Sequence, residues 1–354
     1  MSSLAHPAAL VGGLALVVFT LVDAIGTLVA ARGLTARWRP TRQFYWATWR
    51  VWRGAGRRLK GRRQESFLSA YAPLTLLGLL GMWLAGLLVG WALVYLAGQD
   101  DLEGASGFGS LLYYSGTCLF TLGFGDILAQ STPLRFAALA EAGTGVATMA
   151  LAISYLPALY ASYGRRESRL LTLDDPSGER IQPTAIIAIW APGGDVDRLY
   201  RFFGEWEAWT ADILESHVSF PMLALFRSQH RGQSWITALG VVLDAAAMTC
   251  AVVPGADVRE PYFMYRRGRR ALQEISVRLP QSRRPEAPME RWQFDWAYER
   301  IKTIGLPVRD PDEAWARLTE YRSTYGQTLQ ALIDYLLAPA GFWGHSAEDA
   351  EDEG

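Results

Sequence analysis

The sequence predicts an all-α membrane protein whose first half crosses a bilayer and whose second half is a helical soluble domain. Three observations carry this prediction. Long apolar stretches occur in the first half. A short segment of small and aromatic residues separates the last two of them. From Arg165 onward, apolar residues recur at helical spacing among charges.

The three spans are Ala8 to Ala31, Tyr71 to Gly98 and Leu134 to Tyr163, each long enough for the roughly 20 residues a spanning helix needs. The first lacks the basic start and cleavage site of a signal peptide, so it is read as a retained helix. Eleven arginines and lysines lie between Arg32 and Arg63 without one acidic residue, and such clusters stay on the cytoplasmic side. The amino terminus is then outside, the acidic loop Gln99 to Glu103 is external, and Arg165 and Arg166 meet the inner surface. Asp23, flanked by Thr20 and Thr27 at helical spacing, predicts a polar stripe that hydrogen-bonds to neighbouring helices. Trp46, Trp49 and Trp52, interleaved with arginines, fit a helix along the inner leaflet or one packed on the soluble domain.

Between the second and third spans, Gly107 to Leu119 is too short to cross the bilayer but adequate for a re-entrant helix. Thr121-Leu122-Gly123-Phe124-Gly125-Asp126 follows directly. An external turn would also accept Gly-Phe-Gly-Asp. Its place between two spans, on the side that the charges make external, favours a re-entrant loop.

In letters and position this segment resembles the potassium-channel filter Thr-Val-Gly-Tyr-Gly. Together with Tyr113-Tyr114-Ser115-Gly116 and Ile153 to Pro157, it resembles bacterial proteins grouped with the two-pore-domain potassium channel family, but with one pore loop per chain. The resemblance covers roughly Tyr71 to Tyr163 and reaches less securely to Ser219 to Trp235. It implies a tetrameric potassium-channel pore of outer helix, pore helix with filter, and inner helix, plus an extra amino-terminal transmembrane helix. One loop per chain requires four subunits to close the pore. The resemblance assigns Thr121, Leu122, Gly123 and Phe124 as oxygen donors to K+, Gly125 as the flexible outer residue and Asp126 as the filter mouth. Glycine at 123 and 125 allows the positive φ that lets successive carbonyls face one way. Leu122 replaces valine and Phe124 replaces tyrosine, removing a hydroxyl that would brace the filter. The implied setting is a bacterial plasma membrane, multi-pass, with the carboxyl-terminal domain in the cytoplasm and K+ as permeant ion without a cofactor.

The third span becomes the inner helix. Gly143 and Gly145 serve either as a gating hinge or as close-packing points. Glu141 is an acid within a span and is therefore a candidate for gating, behind the filter or facing the cavity. Pro157 is expected to end or kink the helix near the inner mouth. No arginine repeat marks a voltage sensor.

The domain reading is 1–31 amino-terminal helix, 32–70 basic loop, 71–163 pore domain, 164–345 helical cytoplasmic domain and 346–354 disordered acidic tail. In the cytoplasmic half, breaks at Asp174-Asp175-Pro176, Pro192-Gly193-Gly194, Pro254-Gly255 and around Pro280, Pro285 and Pro288 separate about six helices. Leu199, Phe202, Phe203, Trp206 and Trp209 form a core stripe, Trp235 to Val253 is read as a buried helix rather than a fourth span, and Asp310 starts a long last helix. His217 and His230 are weak metal or pH candidates, and Glu205, Glu207 and Glu215 form a solvated face. Cys118 and Cys250 have no paired spacing and read as buried thiols. Net charge is −1, against the basic balance of a nucleic-acid binder. No nucleophile elbow or phosphate loop is found, so no enzyme is expected. The implied function is passive K+ conduction gated by the cytoplasmic domain through an unknown ligand. A weakly selective cation pore and a non-conducting membrane sensor are the alternatives.

Overall fold

The computed structural model describes residues 5–29, 39–173, 182–228, 234–277, 279 and 289–339. The break at 174–176, His230, the loop around Pro280, Pro285 and Pro288, the start of the basic loop at 32–38 and the acidic tail 346–354 lie outside the described residues. Two compact units divide the chain between Tyr160 and Ala161.

The first unit holds α1 (Ala5–Leu28), α2 (Pro40–Gly56), α3 (Gly61–Ser69), α4 (Tyr71–Ala97), α5 (Gly107–Leu119) and the first part of α6 (Thr132–Leu170). Among the described residues, four helical segments are long and apolar enough to cross a membrane: Pro7–Leu28, Gly61–Ala97, Thr132–Leu173 and Trp235–Val252. Small residues let α1 lie against α4: a Cβ on Gly13 would come within 2.6 Å of the Gly90 carbonyl oxygen, and one on Gly86 within 2.7 Å of Thr20 Oγ1. Apolar lipid provides no hydrophobic drive between helices, so such close backbone packing is what holds them.

The Asp23 stripe forms a junction. Asp23 Oδ2 accepts from Trp83 Nε1 on α4 at 3.0 Å, and from the Thr41 amide and hydroxyl at 3.2 and 2.5 Å. Because Pro40 opens α2, the Thr41 amide is one of the donors a helix start leaves unpaired, and Asp23 supplies its partner from another helix. The α2 tryptophans divide their roles. Trp49 meets Tyr71 edge-on at 4.8 Å and Trp52 stacks on Phe67 at 4.4 Å, both inside this unit, while Trp46 stays exposed beneath Arg50.

The fold is helical, as expected, and two details add to the sequence reading. Between the helices, β1 (Leu102–Glu103) and β2 (Leu128–Ala129) pair antiparallel, with Leu102 opposite Ala129. A two-residue ribbon is too short for any alternation to reveal it. Pro157 does not end its helix, since α6 continues through it to Leu170. Proline removes only one backbone donor, and a membrane helix can absorb that loss where neighbours hold the chain.

The second unit packs the end of α6 with α7 (Pro183–Trp190), α8 (Val196–Ser219), α9 (Trp235–Val252), α10 (Glu260–Ser276), α11 (Arg291–Thr303), α12 (Pro311–Ser323) and α13 (Gly326–Leu336). α9 is enclosed within this unit, buried along nearly its whole length from Trp235 to Val252. The α8 stripe from Leu199 to Trp209 faces the same core. The expected long last helix is two helices. The chain turns at Tyr325, whose buried hydroxyl bonds Asp244 Oδ1 at 2.5 Å in the middle of α9, so burying that tyrosine outweighs continuing α12.

At the head of this unit, the fully buried Arg166 guanidinium donates to Glu167 at 2.9 Å and to the carbonyls of Leu223 and Phe226 at 2.9 and 2.7 Å. Trp209 Nε1 donates back to the Arg166 carbonyl at 3.3 Å. His217 Nδ1 lies 2.8 Å from the Ile213 carbonyl, and its ring sits 4.5 Å from that of Trp235. Burial, with Arg166 nearby, pushes His217 down to about 3, so it is neutral near pH 7. Among the described residues no cluster of metal-binding side chains occurs.

Candidate functional site

The site begins where α5 stops. After Leu119, Phe120 N keeps the α-helical bond to Gly116 O and Thr121 N closes one residue early on Cys118 O, each at 3.0 Å. The Thr117 carbonyl then accepts from both Leu122 N at 2.7 Å and Gly123 N at 3.3 Å, tying the base of the following segment to the last turn of α5. The remaining carbonyls at this end carry the negative pole of the α5 dipole, an environment that favours a cation.

From there the backbone alternates. Thr121, Gly123 and Gly125 have φ of 57, 56 and 79°, whereas Leu122 and Phe124 keep negative φ. A regular strand points successive carbonyls to opposite sides. Alternating the sign of φ turns peptide planes so that carbonyls can share one side. Glycine adopts positive φ freely, but for the β-branched Thr121 it is a strained conformation, of the kind that persists where surrounding structure imposes it. Leu122 and Phe124 are 56% and 66% exposed in the single chain. Phe124 stacks on Tyr113 of α5 with ring centroids 6.5 Å apart and planes 13° from parallel. Asp126, at the far end, engages the Tyr113 hydroxyl.

The far end of the segment is held as well. Gly104, at φ 85°, comes so close to the strand leaving the filter-like segment that a Cβ there would lie 2.5 Å from the Asp126 carbonyl oxygen. The β1–β2 ribbon and a bond from Gln130 N to Asp101 O at 2.9 Å continue this attachment.

Behind α5 stands Glu141, fully buried on α6. Its carboxyl group meets the Tyr95 hydroxyl of α4 at 2.6 Å and Ser115 Oγ of α5 at 2.5 Å. One turn further on, a Cβ on Gly145 would collide with the Leu119 carbonyl at the end of α5, whereas one on Gly143 would meet nothing within 4 Å. The two glycines therefore differ: Gly145 lets α6 approach the end of α5, and Gly143 faces open space in the single chain. Pro157 lies farther along the same helix. Leu139, Val146, Ile153 and Tyr160, spaced by seven residues, are all exposed and form an apolar stripe.

Sequence reasoning singled out Glu141 but missed its partners. Tyr95 and Ser115 are 46 and 26 residues away, on helices whose rotation no pattern fixes. The available signal was Trp91 and Tyr95, aromatic residues with polar ends one turn apart inside an apolar span. Trp91 Nε1 also reaches α6, at Thr144 Oγ1, 3.3 Å away. Thr117, the carbonyl that anchors the segment, left no mark in the sequence.

This arrangement of a long helix, a short half-helix, an irregular glycine-bearing segment and a second long helix defines a class. Residues 79–161 match the ion-channel family model Ion_trans_2, described as "Ion channel". The chain is also similar, at 24% identity over 204 residues, to a protein of Bacillus subtilis (strain 168) known as uncharacterized membrane protein YdjJ. That alignment covers 55% of this chain and 57% of the relative's length. No solved structure matches. The chain is thus largely helical, with helices apolar enough to cross a membrane and a segment that matches an ion-channel family.

Proposed function

We propose that the chain is one subunit of a homotetrameric, potassium-selective channel in a bacterial plasma membrane. In this reading the segment Thr121 to Gly125 lines the ion path, Asp126 faces outward and the second unit lies in the cytoplasm, where it gates the pore. The observation that carries the reading is the alternation of φ at Thr121, Gly123 and Gly125 directly after a half-helix. A dehydrated K+ needs stacked rings of oxygens, and backbone carbonyls turned to one side provide them. The exposed filter-like segment and apolar α6 stripe fit a pore wall completed by further copies.

A weakly selective cation pore is the second reading, favoured by Phe124, which has no hydroxyl to brace the segment. Flux from liposomes holding the purified protein separates the two: K+ and Rb+ efflux, barium block and little Na+ flux support selectivity. Comparable Na+ flux supports the weak filter. Absence of all cation flux from a tetrameric preparation would leave a non-conducting sensor. Gly123→Ala is expected to abolish K+ flux while leaving assembly intact, and unchanged flux would reject the assignment of this segment.

A further inference from the structure

Three helices meet at Glu141 without a basic group. The titratable side chains that face it are Tyr95 of α4 and Tyr114 and Cys118 of α5, and among the described residues no arginine, lysine or histidine contributes to its surroundings. An ionised carboxylate here would be fully buried and uncompensated.

The hydrogens can be counted. Tyr95 donates its hydroxyl proton to Oε2 at 2.6 Å. Ser115 Oγ lies 2.5 Å from Glu141 Oε1 and also 3.0 Å from the Leu88 carbonyl oxygen on α4. A serine hydroxyl has one hydrogen and the Leu88 carbonyl has none. If Ser115 gives its hydrogen to Glu141, its contact with Leu88 has no proton and the carboxylate is an unpaired charge. If Ser115 gives it to Leu88, the hydrogen between Ser115 and Glu141 is the acid's own, and every contact is satisfied.

We propose that Glu141 is a neutral carboxylic acid that donates its proton to Ser115 Oγ, forming a directed chain from α6 through α5 to α4 that positions the pore helix. The assignment of protonation rests on geometry alone, and its effect on conduction rests on the channel reading above. Glu141 is then a positioning residue acting through Ser115, and glutamine is its natural mimic: an amide N–H can donate to Ser115 while the amide oxygen accepts from Tyr95.

Infrared difference spectroscopy at neutral pH tests the proton directly. Wild type minus Glu141→Gln is expected to show one hydrogen-bonded, protonated-carboxyl C=O band. Loss of carboxylate bands instead would overturn the proposal. If Glu141→Gln does not fold, Ser115→Ala serves, because removing the acceptor shifts the same band to higher frequency; an unmoved band would equally overturn it. For liposome K+ flux, Glu141→Gln is expected to rescue conduction, whereas Glu141→Ala lowers it about tenfold. Flux through the alanine variant equal to wild type would remove the positioning role. If wild type itself does not conduct, the channel reading fails while the infrared band still decides the protonation state.

Discussion

Gly143 and Gly145 are two residues apart in the sequence, yet their substitution has opposite expected outcomes. Gly145→Ala drives a methyl into the Leu119 carbonyl, forcing α6 away from the end of α5. Overpacking of this kind costs about 1–3 kcal/mol, so lower thermal stability and impaired flux are expected. Gly143→Ala is expected to leave the melting temperature near wild type, because its Cβ meets nothing within 4 Å in the single chain. Equal melting shifts in the two variants would contradict this assignment. His217 gives a second prediction. Its folded value of about 3 lies below the ordinary histidine value of 6.5, so between these values the unfolded chain binds the extra proton and stability falls as pH drops. Urea unfolding from pH 7 to pH 4 is expected to show this loss, with a shallower slope in His217→Gln. At this scale the sequence was most readable where backbone chemistry is restrictive. Glycine at positions 123 and 125 announces positive φ, while the strained Thr121 and the partners of Glu141 depend on how helices rotate against one another.

Among the elements, the spans were readable because about 20 apolar residues have few alternatives to crossing a bilayer. Their ends were not. α6 outlasts its apolar stretch because Arg166, an unfavourable residue to bury alone, finds a carboxylate and two carbonyls at the far end. Removing one member of such a buried set typically costs about 3–5 kcal/mol. Arg166→Met is therefore expected to destabilise the second unit by a comparable amount in chemical denaturation, and an effect below about 1 kcal/mol would show that the grip is dispensable. The α1–α4 seam was equally hidden, since Gly13, Gly86 and Gly90 read as ordinary membrane glycines until their neighbours are known. Gly13→Leu is expected to pry the two helices apart, exposing α1 to limited proteolysis while the Asp23 junction holds its other end.

For the molecule as a whole, composition separates an apolar first half from a charged second half, because hydropathy and charge change sharply near Arg165. The second unit's internal order stayed obscure because its helices meet through scattered aromatic contacts such as Trp206 with Trp209, 4.8 Å apart. The exposed stripe from Leu139 to Tyr160 carries the prediction that belongs to the assembly. Ile153, at 70% exposure, is covered by a neighbouring copy in the proposed tetramer, so under that proposal Ile153→Lys is expected to shift the purified protein to smaller species in native mass measurement. A tetramer that survives with unchanged stability would place Ile153 toward water or lipid instead.

The segment from Thr121 to Asp126 is fastened at both ends, by the Thr117 carbonyl at its base and by Gly104 with the short ribbon at its top. A cord pinned at two points has no slack to share, so a disturbance at one anchorage is felt along its whole length. A nick in the loop beside Gly104 would therefore act as a slipped knot and loosen the backbone at Thr121 along with that at Gly125.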